Sequence, residues 1–523
     1  MSLNSLKRLP FFYLVLILVG QTALVGSLLW LMSGRVFPFT TDSIVYISTA
    51  EQIANFKGLL FTNLFVQPPF PDLLPLSIWP PGFPICIAML KWMGVNEFGA
   101  AIFFPRICCL CLPFLFFSIF RKFISDKGAL FVSGMCSLTF SVLSCSSIAW
   151  SDTPYLAISL LVLMMVINIF ERKVTVHWSY IVLTGGLSGI AFLFRFIGVS
   201  LIGSIGISLV LWAILRLVTF KDFIRMTSFY ALGVLIPVVP YCIRNLIVFG
   251  KMFVYLSGTP NPDFFRNVIV VVRLYFQGLS SMMLGTTSFS WLVVIFIACL
   301  FVIFLYYAKE LIRDGQTKFA CLLLLALYFF IQSFFLIYFR SSALLTSNPD
   351  VNERLLMQFF WILLGSGVYV LYCGVKQFWG LKVSRFSAVL FILLFVLVQI
   401  SNSVEFFKSQ TQIKNLARNI SQYFPAKKIP ADYLIVSNVP DITFLYANRN
   451  VRALADYTPL ELISNLGAYR KFVVFLVKGC GYLSPAWEYR DDWKIPVKYY
   501  KVVYSDQKVD LLVPQAKLTS GGV

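Results

Sequence analysis

FTTDSIVYISTAEQIANFKGLLFTNLFVQPPFPDLLPLSIWPPGFP, residues 39–84, is the first long polar break after an N-terminal apolar run. It opens with an acid, Asp42, then a helical pattern of Ile44, Tyr46, Ile47, Ile53 and Ala54. It closes on a proline-rich turn, Trp79-Pro80-Pro81-Gly82-Phe83-Pro84. A loop this long between apolar spans is uncommon and usually functional. An acid where such a loop meets the bilayer surface is both partly dry and accessible.

The surrounding chain makes the bilayer the relevant solvent. Of 523 residues, 59% are hydrophobic and only 13% charged, with a mean hydropathy of +0.82. That balance predicts an α-helical polytopic membrane protein. The net charge of +20 fits positive-inside topology and anionic head groups, and no nucleic-acid motif accompanies it. Most of the eleven cysteines lie in apolar runs, where thiols behave as small hydrophobes. Cys108-Cys109-Leu110-Cys111 lacks metal-site spacing. A single histidine, His177, excludes His-dependent triads and multi-His metal centres, so no metal site is expected. Acid–base chemistry then falls to carboxylates, Tyr or Lys.

Phe11–Met32 is long enough to span and reads as a retained anchor with a cytoplasmic N-terminus. Phe83–Met93 is too short for a span, which needs about 20 residues, and reads as an interfacial or re-entrant helix. Further spans are expected near Ala100–Phe120, Ala129–Ile148, Tyr155–Phe170, Ser179–Phe194, Phe196–Leu215, Met226–Phe249, Phe289–Ala308, Phe319–Phe339, Leu355–Cys373 and Phe386–Asn402. The total is roughly eleven, and the short Lys/Arg-rich loops fall on one side. Residues 1–402 are thus expected to form the transmembrane domain, with 33–98 as its first external loop and Gly250–Thr287 as a second long external segment. From about Ser403 charges become frequent and apolar runs shorten. Strands are expected at Tyr433–Ser437, Val451–Ala455 and Phe472–Val477, helices at Pro440–Ala447 and Pro459–Leu466, and a hairpin at Tyr499–Tyr504 with Val509–Val513. Residues 403–523 therefore read as a small extracytoplasmic α/β domain. Cys480 is its only cysteine, so it has no internal disulfide.

Several motifs together resemble the GT-C superfamily of membrane glycosyltransferases, in particular its bacterial protein O-mannosyltransferase-like and aminoarabinose-transferase-like branch. The order of Asp42, Tyr46, a small amphipathic helix and WPPGFP resembles that family's first external loop. "AWSDTPYL" around Asp152 resembles its second acidic position, and "GGLSGIAFLFRFIG" with Arg195 its Gly-rich span ending in a basic residue. Arg244-Asn245, Glu353-Arg354-Leu355-Leu356 and the stretch Ser437–Asp441 resemble three further family motifs. The resemblance extends over roughly the whole chain. It implies Asp42 as catalytic base, Asp152 as a second functional acid, and Tyr46, Arg195, Arg244, Glu353 and Arg354 as substrate contacts. Arg195 and Arg354 are then expected near a lipid phosphate.

Each residue also has a structural reading. Asp42 follows two capping threonines and sits well on a helix dipole. Asp152 lies in an ordinary helix start, with Thr153 as cap and Pro154 in the first turn. Arg195, preceded by Gly185, Gly186 and Gly189, interrupts apolar sequence and must face water, a carboxylate or a phosphate, or snorkel. Arg244 fits an interfacial anchor, and Arg354, at an unfavourable helix start, needs an anion that Glu353 or Asp350 could supply.

The resemblance implies transfer of a sugar from a polyprenyl-phosphate-linked donor to an acceptor hydroxyl of a protein, lipid or polysaccharide, with inversion, outside the plasma (inner) membrane. No cofactor is required on that account. A flippase or transporter would need ionisable groups or broken helices at mid-membrane. A scaffold would leave Asp42 free to vary. A donor-dependent transfer assay separates the three.

Overall fold

The computed structural model describes residues 9–62, 73–77, 79–172, 176–253, 264–284, 287–288, 290–299, 316–342, 354–367 and 393–404. It also describes short stretches between 406 and 414, and five strands between 434 and 514. The chain divides into two compact units, one of residues 1–34 with 77–406 and the other of 35–76 with 407–523.

The first unit is helical and is that of a polytopic membrane protein. Among the described residues five helices are long and apolar enough to cross a membrane: α1 (Phe11–Ser33), α4 (Glu97–Phe120), α7 (Asp152–Arg172), α10 (Phe220–Phe249) and α13 (Gln316–Ser342). Shorter apolar helices are α3 (Gly82–Trp92), α8 (Trp178–Phe194), α9 (Gly198–Ile214) and α12 (Ser290–Cys299). Helical segments at 354–367 and 393–404 follow. Nearly every span expected from hydropathy therefore has a helix in its described part, although several are shorter than a full crossing.

The span expected at Ala129–Ile148 is broken. Helices α5 (Asp126–Ser137) and α6 (Phe140–Ser147) meet at a 49° bend. Ser137 and Thr139 turn their hydroxyls back onto the carbonyls of Ser133 and Cys136, at 2.8 and 2.9 Å. Such back-bonding loosens a helix. The N–H of Phe140 at the break donates to Oε1 of Gln399 at 2.7 Å, so the backbone donor released by the bend is not left bare in a membrane.

Helices α8 and α10 pack backbone to backbone. A Cβ on Gly185 would strike the Tyr230 carbonyl, and one on Gly233 the Val182 carbonyl. One on Gly189 would stand 2.5 Å from Pro237 Cγ. This is the close approach that small residues permit between spanning helices. Helix α10 runs unbroken through Pro237 and Pro240 and stops at Gly250, whose φ of 68° is left-handed, the usual glycine terminator. Gly82 of the WPPG turn abuts the Leu193 carbonyl at the end of α8, where a Cβ would lie 2.6 Å away.

Within the second long loop lies α11 (Phe264–Leu284). Its buried residues Val271, Tyr275, Leu279 and Met282 recur at helical spacing, and Tyr275 donates to or accepts from Ser333 of α13 at 2.7 Å.

In the second unit α2 (Thr41–Ala54) begins at Thr40, whose N–H donates to the Ser43 hydroxyl at 3.0 Å. Strands β1 (Leu60–Thr62) and β2 (Leu73–Pro75) pair antiparallel. Phe37 N–H donates to Gln410 Oε1 at 3.0 Å, tying the early loop to the far end of the chain. Strands β3 (Leu434–Ser437), β4 (Val451–Ala453), β5 (Phe472–Val477), β6 (Tyr500–Ser505) and β7 (Val509–Pro514) form one sheet in the order β4-β3-β5-β7-β6. The pairs of β3 with β4 and β5 are parallel; β7 is antiparallel to β5 and β6. The expected hairpin is thus present, with a bulge between Val502 and Tyr504. Parallel neighbours require crossover connections, usually helical. The helices expected at Pro440–Ala447 and Pro459–Leu466 lie outside the described residues.

Candidate functional site

Asp152 is the first residue of α7 and is fully buried. Ser151 precedes the helix as its boundary residue, so the helix starts before the Thr153 cap expected from sequence. Thr153 instead bonds Ser146 of α6 through its hydroxyl at 3.0 Å. A carboxylate in a first turn sits on the positive end of the helix dipole, yet burial alone would disfavour its charge.

Two guanidiniums compensate that burial. Arg195 Nη1 lies 2.5 Å from Asp152 Oδ1, and Arg354 Nε lies 2.8 Å from Oδ2. Arg195 gets there because the helix stops. It caps α8 with extended backbone, φ −151° and ψ 132°, and Gly198 then starts α9 so close to Phe192 that a Cβ would stand 2.6 Å from its N. Arg354 opens the helix at 354–367, and its Cζ stands 4.1 Å from the Trp150 ring centroid. That is cation–π range, so Trp150 covers one guanidinium face while Asp152 takes its edge. Gln358, one turn on, donates from Nε2 to the main-chain carbonyl of Asp152 at 3.3 Å.

Three of the sequence candidates therefore converge: Asp152, Arg195 and Arg354. Among the described residues Arg354 meets the carboxylate of Asp152, 202 positions away. Arg244, near the end of α10, donates from Nη1 to Asn245 Oδ1 at 2.8 Å and lies 5.1 Å from the Phe249 ring centroid. Asn245 Nδ2 in turn donates to the Met252 carbonyl at 3.1 Å. Asp42 lies in the first turn of α2, partly exposed, and Tyr46 of the same helix is buried; both belong to the second unit. Glu353 lies outside the described residues.

Trp150, Gln358 and Gln332 were not singled out in sequence. Trp150 stands next to a motif that was. The two glutamines had a signal, being lone amides in the apolar runs LLMQFFWILL and FFIQSFF. A polar side chain inside a spanning helix seldom lacks a partner.

No family model matches the chain, and no curated sequence does. Solved structures match its fold. The ArnT structure from Cupriavidus metallidurans bound to undecaprenyl phosphate superposes with a TM-score of 0.57 at 12% identity, over 96% of this chain and 99% of that one. The apo form of the same protein gives 0.58 at 12% identity, with the same coverage. The archaeal oligosaccharyltransferase AglB from Archaeoglobus fulgidus, in complex with an inhibitory peptide and a dolichol-phosphate, gives 0.55 at 13%, over 89% and 69%. The chain shares the fold of these two proteins over most of its length.

Proposed function

We propose that this chain is an inverting glycosyltransferase that uses a polyprenyl-phosphate-linked sugar and an acceptor hydroxyl on the extracytoplasmic face of the plasma (inner) membrane. The observation that carries the reading is the buried Asp152 carboxylate holding Arg195 and Arg354 side by side. The two guanidiniums gather positive charge at one place in the fold. A lipid-phosphate leaving group needs such stabilisation as the bond from the anomeric carbon to the phosphate oxygen breaks and the electron pair departs with the phosphate. Asp152 acts in this scheme as the holder of the two cations. The acceptor oxygen forms the new bond to the anomeric carbon, and its proton passes to Asp42, the base of this proposal. Tyr46, Arg244 and Glu353 are assigned to substrate binding. Fold likeness to proteins solved with undecaprenyl phosphate and dolichol-phosphate supports the donor class.

The test is transfer from a radiolabelled polyprenyl-phosphate sugar by the purified protein. Label arriving on an acceptor, lost in Arg354→Ala, supports the reading. Movement of intact donor across vesicles without transfer overturns it in favour of a flippase.

A further inference from the structure

Two buried glutamines lie beneath the Asp152 cluster, each on a different helix. Gln358 belongs to the helix that Arg354 opens, and its Nε2 donates to the Asp152 carbonyl at 3.3 Å. The main-chain carbonyl of Gln358 accepts from the Trp361 indole at 3.0 Å and from Tyr328 of α13 at 3.5 Å. Gln332 belongs to α13, and its Oε1 accepts from the Tyr155 hydroxyl at 3.4 Å and from the Ser200 hydroxyl. Tyr155 lies one turn after Asp152 on α7. Ser200 lies in the first turn of α9, just past the break that places Arg195.

The two ties fall on the two arms of the cluster. Gln332 joins α7 to α9 and so sets the Asp152–Arg195 spacing. Gln358 joins its own helix to Asp152 and so sets the Asp152–Arg354 spacing. Both side chains are essentially fully buried. Nε2 of Gln332 and Oε1 of Gln358 have no partner among the described residues.

We propose that Gln332 and Gln358 are positioning residues, Gln332 for Arg195 and Gln358 for Arg354, that fix the spread of the two guanidiniums toward a lipid phosphate. The inference rests on the proposed phosphate role of the two arginines. Affinity of the full-length protein for undecaprenyl phosphate, in detergent and without any sugar, is the readout. Gln358→Met and Gln332→Met keep the side-chain volume and should each weaken that affinity about fivefold, the value of one hydrogen bond. The pairing is tested by double-mutant cycles. Gln358→Met should lose its effect in an Arg354→Ala background and keep it in Arg195→Ala, and Gln332→Met should do the reverse. If Gln332→Met does not fold, Ser200→Ala with Arg195→Ala replaces it, with the same expected loss of effect. Additive cycles, with both arginine variants themselves weakened, overturn this inference alone. Arginine variants that bind undecaprenyl phosphate as tightly as the parent chain overturn the phosphate role from which it starts.

Discussion

Asp152 begins a helix, and the helix dipole alone would account for a carboxylate there. It does not account for two arginines from distant segments that meet on that carboxylate. Their convergence gives Arg354→Lys a definite expectation. Lysine keeps the charge but loses the planar fork and the stacking on Trp150, so donor use should fall only in part, whereas Arg354→Ala should shift the dependence of rate on donor to far higher concentration or abolish transfer. Unchanged donor dependence in Arg354→Ala removes the arginine from the phosphate. Asp42 has a separate test. Asp42→Asn preserves the shape of the first turn of α2, so a capping role predicts near-normal transfer. As base, its loss should cost roughly 100-fold or more at matched expression. Asp152 and Arg195 were legible as candidates because a charge in apolar sequence demands an explanation, and Arg354 because a cation at a helix start does. Which charges meet was not legible, since Asp152 and Arg354 are joined only by the fold.

Elements were read more fully than their breaks. Hydropathy runs located most of the helices between α1 and α13, and alternation located every described strand of the C-terminal sheet. The α5–α6 bend was missed because serine and threonine hydroxyls satisfy carbonyls locally and leave the apolar run intact. The α11 helix was missed because it lies in a segment read only as an external loop. Gly185 and Gly189, before Arg195, and Gly233 let α8 and α10 approach backbone to backbone. That approach sets a stability expectation. Gly233→Val must push α10 off the Val182 carbonyl, and overpacking of this kind costs typically 1–3 kcal/mol. A lowered melting temperature in detergent is expected for Gly233→Val, beside an unshifted one for Gly203→Ala, where a Cβ meets nothing within 4 Å. Equal melting temperatures would mean that the two helices do not approach so closely.

At the scale of the molecule, all five strands of the second sheet come from residues 434–514. A fragment starting near Gln412 is accordingly expected to fold and melt cooperatively. A disordered spectrum would assign the residues 35–76 a necessary part in that unit. The membrane part makes its own demand through charge. Clusters such as Arg121-Lys122 and Arg216 with Lys221 follow the ends of α4 and α9, while Asp152, Arg195 and Asn96 stand at the other ends of their helices. The excess of Lys and Arg faces the cytoplasm in membrane proteins, and on that ground we propose that the Asp152 end faces outside. Cysteines introduced next to Lys122 and Lys221 should then resist an impermeant thiol reagent in intact cells and react after permeabilisation, whereas one at Asn96 should react at once. The proposed reaction needs this orientation, because Asp152, Arg195 and Arg354 must meet a donor on the outer face. Labelling of the Lys221 site in intact cells would turn the cluster to the cytoplasm, and the extracytoplasmic transfer proposed here would fall with it.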